Sequence, residues 1–328
     1  MPCLILKVVK DLIKQYLGSP KRKINAHSSR MKVREECMGD YLVRVITEEK
    51  NILGLACITT NLVDEARKRH RTYPTATAAL GRALTGGELL GALLDSGQRI
   101  ALKFTGNGPL KKIIVEAEGD GTVRGYVEVP NVDLPLRNGK FDVGGALGRK
   151  GFLAVTKDLR LKEPYNGLVK LYTGEIASDI AYYLTESEQI PSAVGLGVFV
   201  ERDGSVTASG GFLIQSLPPA DEVLIDGLAN RIQDMPPVTS QLRDGKTPED
   251  LLASVFEGIP YHTLETRQLS FRCLCSRSRV EQALITLGRK QMEEVMRDKE
   301  VFDISCHFCN RSYVFQRDHL MRLLNEMH

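Results

Sequence analysis

Phe271-Arg272-Cys273-Leu274-Cys275-Ser276-Arg277, followed further along by Cys306-His307-Phe308-Cys309-Asn310, is the stretch on which the reading of this chain turns. A C-x-C and a C-x-x-C supply four soft sulfur donors from two chain segments, the ligand set of a tetrahedral thiolate zinc site. Val301-Phe302-Asp303-Ile304-Ser305 and Ser312-Tyr313-Val314-Phe315 flank the second pair as short β-rich runs. They predict a zinc knuckle at a hairpin turn. Between the pairs, Ser278 and Glu281 have capping-box spacing, and Val280, Ala283, Leu284 and Leu287 recur at helical spacing up to Gly288. A second helical run carries Met292, Val295 and Met296 on one side.

Residues 269–328 thus form a small unit with a thin apolar inventory, and units of that size usually need a metal or disulfides to stay folded. Structural zinc contributes on the order of 10 kcal/mol or more of folding free energy. Spacing alone leaves two uses open, a permanent staple and a switch. Zinc would tie Cys273 and Cys275 to Cys306 and Cys309, whereas the nearest partner of each cysteine in sequence is its own motif mate. A disulfide within C-x-x-C forms readily and one within C-x-C under strain. Local disulfides would expel the metal without replacing the cross-link, and long-range ones would only exchange one staple for another. His307 reads as a solvated knuckle residue, with a fifth-ligand or proton-acceptor role as the weaker alternative.

The other three cysteines, Cys3, Cys37 and Cys57, are scattered. Cys57 lies in the apolar run Ile52-Leu53-Gly54-Leu55-Ala56-Cys57-Ile58 and reads as an inert core thiol. With 328 residues, 42% of them hydrophobic, the chain has material for a folded core and more than one domain. Its net charge of +3 is too small to mark a nucleic-acid binder. That charge is uneven. Residues 1–37 hold nine basic against three acidic side chains, a net of +6, which leaves −3 for residues 38–328. The leader's apolar run, Leu4 to Val9, is broken by Lys7 and followed by no small-residue cleavage site, and no stretch approaches twenty apolar residues. The expected location is cytoplasmic, where cysteines serve as thiols, metal ligands or redox groups.

From Met38 to about residue 217 the expected fold class is α+β, a mixed β-sheet core domain with helical insertions. Strands are predicted over 41–47 and 52–60, then near 99–105, 111–118, 122–129, 152–157 and 167–172, and a final hairpin pairs 193–200 with 205–215. Helices are expected from Thr60 or Asn61, over about 75–95 where small residues dominate, and around Ile176 to Leu184. Residues 218–268 change in composition. Val223, Leu224, Leu228 and Ile232 mark one amphipathic helix, Met235-Pro236-Pro237 breaks it, and Thr247-Pro248-Glu249-Asp250 caps another. Such short helices are marginal alone and need a surface to lie on. They read either as an ordinary linker or as a segment whose docking depends on the zinc unit.

Other motifs fail. Gly245-Lys246-Thr247 lacks the earlier glycine of a phosphate loop, and Gly144-Gly145-Ala146-Leu147-Gly148 reads as a turn. The six histidines have no companions for metalloprotease or Ser-His-Asp chemistry, so no ATP site and no catalytic set is expected.

The cysteine pattern, with Tyr313 and Phe315 after it, resembles the C-terminal redox switch of the thirty-three-kilodalton heat-shock chaperone family, bacterial redox-regulated holdases. The likeness extends to Met38-Gly39-Asp40-Tyr41-Leu42-Val43-Arg44, to Arg71-Thr72-Tyr73-Pro74-Thr75 and to Gly81-Arg82-Ala83-Leu84-Thr85-Gly86-Gly87, and so spans residues 38–328. It implies an ATP-independent chaperone that is not an enzyme and is inactive when reduced. In that state Cys273, Cys275, Cys306 and Cys309 hold one Zn2+ per chain. It also implies that oxidation forms Cys273–Cys275 and Cys306–Cys309 disulfides, releases zinc and unfolds the switch (269–328) and a metastable helical linker (218–268). The surface so exposed would hold unfolded or oxidatively damaged client proteins, with a homodimer as the oxidised form and neither nucleic acid nor membrane as partner. Residues 1–37 depart from the family pattern. Purine-rich codons for Arg34-Glu35-Glu36 would suit a ribosome-binding sequence before Met38, so these residues are read as a non-native or disordered extension. The competing readings are a nucleic-acid binder with a passive zinc unit and a thiol oxidoreductase built on Cys306 and Cys309. Against the first, residues 269–328 mix Arg272, Arg277, Arg279 and Arg289 with Glu281, Glu293, Glu294, Asp298, Glu300 and Asp303. Against the second, the C-x-x-C is flanked by strand-like runs where a helix start would be needed.

Overall fold

The computed structural model describes residues 39–287 and 300–326. The leader 1–37 and the helical run with Met292, Val295 and Met296 lie outside the described residues. The chain divides into two compact units, Met1–Phe271 and Arg272–His328.

The first unit is α+β. Strands β1 (Tyr41–Thr47), β2 (Ile52–Ile58), β8 (Ser192–Val200), β9 (Val206–Ser216) and β10 (Tyr261–Gln268) form one antiparallel sheet in the order β10-β1-β2-β9-β8. Strands β3 (Arg99–Gly106), β4 (Lys112–Glu118), β5 (Thr122–Val127), β6 (Gly151–Asp158), β7 (Tyr165–Lys170) and β11 (Ser270–Phe271) form a second, in the order β11-β5-β4-β3-β6-β7. Helix α1 (Thr60–His70) follows the first hairpin, and the Asp40 carboxylate caps it by accepting from the N–H groups of Asn61 and Leu62. Helix α2 (Pro74–Gly91) packs on strands of both sheets and is buried on nearly every side. Its small residues have a steric cause. A Cβ at Gly81 would lie 2.6 Å from Val63, and one at Gly87 2.7 Å from Val115. A helix apolar all round is what a core sandwiched between two layers requires. Helix α4 (Ile176–Glu186) buries Ile176, Ile180, Tyr183 and Leu184 in the same core.

The linker helices lie on the other face of the first sheet. They are α5 (Glu222–Asp234), α6 (Val238–Arg243) and α7 (Pro248–Val255). Leu228, Ile232, Val238, Leu251, Leu252, Val255 and Phe256 bury against Tyr41, Val43, Val45, Ile52, Ala56, Phe212 and Ile214. Successive side chains of a strand point to opposite faces, so Val43 and Val45 meet the linker while Leu42 joins the main core. Asp221 caps α5 by accepting from the Leu224 N–H, and Thr247 and Asp250 form a reciprocal capping box on α7.

Two elements differ from the sequence reading. Residues 261–268, expected within a helical segment, form strand β10, which pairs along β1 from Tyr41↔Gln268 to Thr47↔Tyr261. Its residues, Tyr-His-Thr-Leu-Glu-Thr-Arg-Gln, show little apolar alternation because an edge strand leaves much of its surface in water. Val143–Leu147, read as a turn, is a short helix, α3, whose Asp142 cap accepts from the Gly145 N–H. Five residues are too few to show a helical period.

The second unit contains α8 (Arg277–Leu287), β12 (Val301–Ser305), β13 (Ser312–Gln316) and α9 (Arg317–Glu326). Its core consists of buried Phe302, Phe315 and Leu320, backed by Val280, Leu284, Ile304 and Tyr313. So small a core supports little stability by itself. Helix α8 starts ahead of the expected capping box. Ser276 Oγ accepts from the Arg279 N–H at 3.2 Å, and Ser278 lies inside the first turn. Glu281 instead meets His319 at 2.8 Å and Arg277 at 3.3 Å.

Candidate metal centre

Hairpin β12–β13 runs in register from Val301↔Gln316 to Ser305↔Ser312, which leaves Cys306 to Arg311 as its turn. The Cys306 N–H donates to the Arg311 carbonyl at 2.9 Å, and the Asn310 N–H donates to the Cys306 carbonyl at 2.7 Å. Asn310 adopts φ 56°, a left-handed conformation that asparagine tolerates better than most residues. This tight turn turns the Cys306 and Cys309 sulfurs to the same side as the loop carrying Cys273 and Cys275, which precedes α8.

All four Sγ atoms lie within 4.8 Å of one another. The contacts that cross between motifs are Cys273 to Cys306 at 3.7 Å and Cys275 to Cys309 at 3.3 Å. Sulfurs on a tetrahedral zinc ion with bonds of about 2.3 Å stand about 3.8 Å apart, so the spacing fits that group. His307 is not in the cluster. Cys57, the other described cysteine, is buried in the first unit, where burial pushes its thiol well up.

Electrostatics distinguish the sulfurs. Burial opposes ionisation of Cys309, whose pKa is pushed up to about 12 with help from its cysteine neighbours, and Cys306 is likewise raised chiefly by burial. For Cys275 burial acts the same way but is outweighed by hydrogen bonds from Tyr313 and the neighbouring thiols, which bring it down to about 7. The Tyr313 hydroxyl donates to Cys275 Sγ at 3.1 Å. Arg277 staples the unit beside the cluster, with its guanidinium 4.2 Å over the Phe315 ring and Nη1 donating to the Val314 carbonyl.

Sequence reading placed the four cysteines but assigned no task to Tyr313 or to the His319–Glu281 pair. One signal for Tyr313 was available. It is two residues before Phe315 on a strand, hence on the same face.

Fold and site together define an α+β protein whose small C-terminal unit carries a four-cysteine centre suited to a metal ion. The family model described as Hsp33 protein matches residues 40–316. A 33 kDa chaperonin of Geobacter sulfurreducens is 59% identical over 89% of this chain and 97% of its own length. One from Clostridium perfringens is 47% identical over 88% of this chain and 92% of its own length. The crystal structure of the 33 kDa chaperonin of Thermotoga maritima, a heat-shock protein 33 homologue, superposes with a TM-score of 0.81 at 36% identity. That match covers 88% of this chain and 98% of the other. The chain belongs to the Hsp33 family of chaperones.

Proposed function

We propose that this chain is an ATP-independent holdase switched by oxidation. The observation that carries the reading is the convergence of Cys273, Cys275, Cys306 and Cys309 to within 4.8 Å from two segments, around a core too small to hold itself. In the reduced chain the four cysteines hold one zinc ion, which supplies a cross-link between the loop before α8 and the β12–β13 turn. A peroxide takes two electrons from each motif. One cysteine sulfur attacks a peroxide oxygen, hydroxide leaves, and the motif mate then displaces the sulfenic oxygen as water to close the disulfide. The Cys273–Cys275 and Cys306–Cys309 disulfides remove the ligand set and leave the two segments unlinked, so the unit loses its fold.

The linker 218–268 supplies the second half of the reading. Its helices cover Val43, Val45, Phe212 and Ile214, and β10 runs into β11 and so directly into the cysteine loop. Loss of order in 269–328 removes the anchor at the end of that linker. Undocked, the helices uncover a contiguous apolar sheet face that can hold unfolded or oxidatively damaged clients in the cytoplasm. Two chains with exposed faces associate as the homodimer expected of the oxidised form. Residues 1–37 are not needed for any of these steps.

Zinc content and suppression of client aggregation, measured before and after peroxide without nucleotide, test the reading. Release of zinc together with new holdase activity is expected. Zinc release with no such activity would refute the chaperone switch.

A further inference from the structure

We propose that Tyr313 is a positioning residue that restrains the Cys275 sulfur, making the reactivity of the C-x-C half depend on the integrity of the β12–β13 hairpin. The inference rests on the reading of the four cysteines as metal ligands and oxidant sensors, and adds a residue to which that reading assigns nothing.

The geometry is specific. Tyr313 sits on β13 opposite Ile304, on the same face as Phe315, and its ring packs against the small core of Phe302, Phe315 and Leu320. From that anchored ring the hydroxyl reaches Cys275 Sγ at 3.1 Å, so a donor carried by one motif's hairpin lands on a sulfur of the other motif. By contrast, Cys306 and Cys309 receive hydrogen bonds from the backbone of their own turn, at Phe308, Cys309 and Arg311. Backbone donors of a turn stay with their cysteines through any motion of the turn as a body. A side-chain donor on a separate strand does not.

The chemical consequence follows from what a donor does to a thiolate. An O–H directed at sulfur withdraws density from the lone pair that must attack an oxidant, and it stabilises the sulfur as a metal ligand. In the oxidation step that lone pair forms an S–O bond to a peroxide, the O–O bond breaks and hydroxide leaves. With the metal holding Cys275 as a thiolate, Tyr313 slows this step while the hairpin is intact. When β13 shifts while the metal still holds Cys275 as a thiolate, the hydroxyl withdraws and the sulfur regains its nucleophilicity. Outer-shell partners of metal ligands commonly change metal affinity by about 10–100-fold, so the restraint has a measurable size.

Tyr313→Phe in the full chain keeps the ring and deletes the donor. Loaded with cobalt(II), the variant should show its sulfur-to-metal charge-transfer band at lower energy than the wild type, because the sulfur lone pairs are no longer stabilised. With zinc bound and peroxide limiting, mass spectrometry should find Cys275 oxidised about threefold faster or more. A fully metal-loaded variant with an unmoved band and an unchanged Cys275 rate would overturn the proposal. If the variant does not fold, the wild-type chain made with 3-fluorotyrosine gives the same test, since Tyr313 is the only tyrosine after Tyr261. The more acidic phenol is a stronger donor and should move the cobalt band to higher energy, and no shift would overturn the proposal. A wild-type chain that takes up neither zinc nor cobalt would instead remove the metal-centre reading beneath it.

Discussion

The Tyr41 hydroxyl donates to the Glu249 carboxylate at 2.9 Å, joining the first strand of the core sheet to the last helix of the linker. These residues lie 208 positions apart in sequence, and their contact is part-buried. Tyr41→Phe leaves the ring in the interface and removes the hydrogen bond, while the exposed Glu249 carboxylate stays hydrated, which should weaken linker docking by about 0.5–1.5 kcal/mol. Hydrogen exchange in α7 should rise, and less oxidant should be needed to reach half-maximal holdase activity. Equal exchange in both proteins would count against a latch at this contact.

Phe256 is the largest linker side chain buried against the sheet, and its ring fills the space over Gly54, where an added Cβ would come within 2.6 Å. Phe256→Ala should cost about 3–5 kcal/mol of docking. Gly54→Val should displace the same ring without altering the linker. Both variants are expected to bind a hydrophobic dye and to suppress aggregation while still reduced and metal-loaded. Activity that remained strictly oxidant-dependent in both would show that the sheet face beneath the linker is not the client surface.

Glu88 lies fully buried in α2, and neither of its carboxylate oxygens has a hydrogen-bond partner among the described residues. Burial pushes its pKa well above the ordinary value, with Asp120 and Asp40 adding to the shift and Arg267 opposing it. The folded pKa is therefore higher than the unfolded one. The associated stability is fully present below the ordinary carboxylate range near about 4.3 and is lost as pH rises through the elevated folded value. Glu88→Gln should flatten that decline and gain about 1–2 kcal/mol at alkaline pH. Urea midpoints measured across pH provide the check, and parallel curves for the two proteins would contradict it.

Metal uptake should release protons. Burial keeps Cys306 and Cys309 protonated at neutral pH in the metal-free unit, and a thiol must lose its proton to become a ligand. Zinc added to the reduced, metal-free chain in weak buffer should acidify the solution, and affinity should fall steadily as pH is lowered. Cys309→Ser should abolish this proton release at stoichiometric zinc and remove the helical signal of α8 and α9. A folded Cys309→Ser unit without metal would mean that the small core suffices alone.

Local chemistry made much of this protein legible. Cys273, Cys275, Cys306 and Cys309 could be read as a ligand set because C-x-C and C-x-x-C are spaced by the chemistry itself, whatever surrounds them. The strand runs of the core and the small-residue helix α2 could be read for a similar reason, since periodicity and residue size report burial directly. Strand β10 could not, because its residues take their conformation from pairing with β1, some 220 positions earlier in the chain. The cap of α8 was misplaced by two residues because Ser276 and Ser278 have the same local chemistry, and only the point where the chain leaves the cysteine loop selects between them.

By itself the sequence determined the family, the α+β class, the four cysteines and the linker's need for a surface. Tertiary structure decided which surface that is, the Val43, Val45, Phe212 and Ile214 face of the first sheet, and which side chain reaches the cysteine cluster, Tyr313. The division has one physical cause. Ligand type, residue size and periodicity belong to neighbouring residues, whereas a buried face or a 3.1 Å hydrogen bond exists only once distant segments share a place in space.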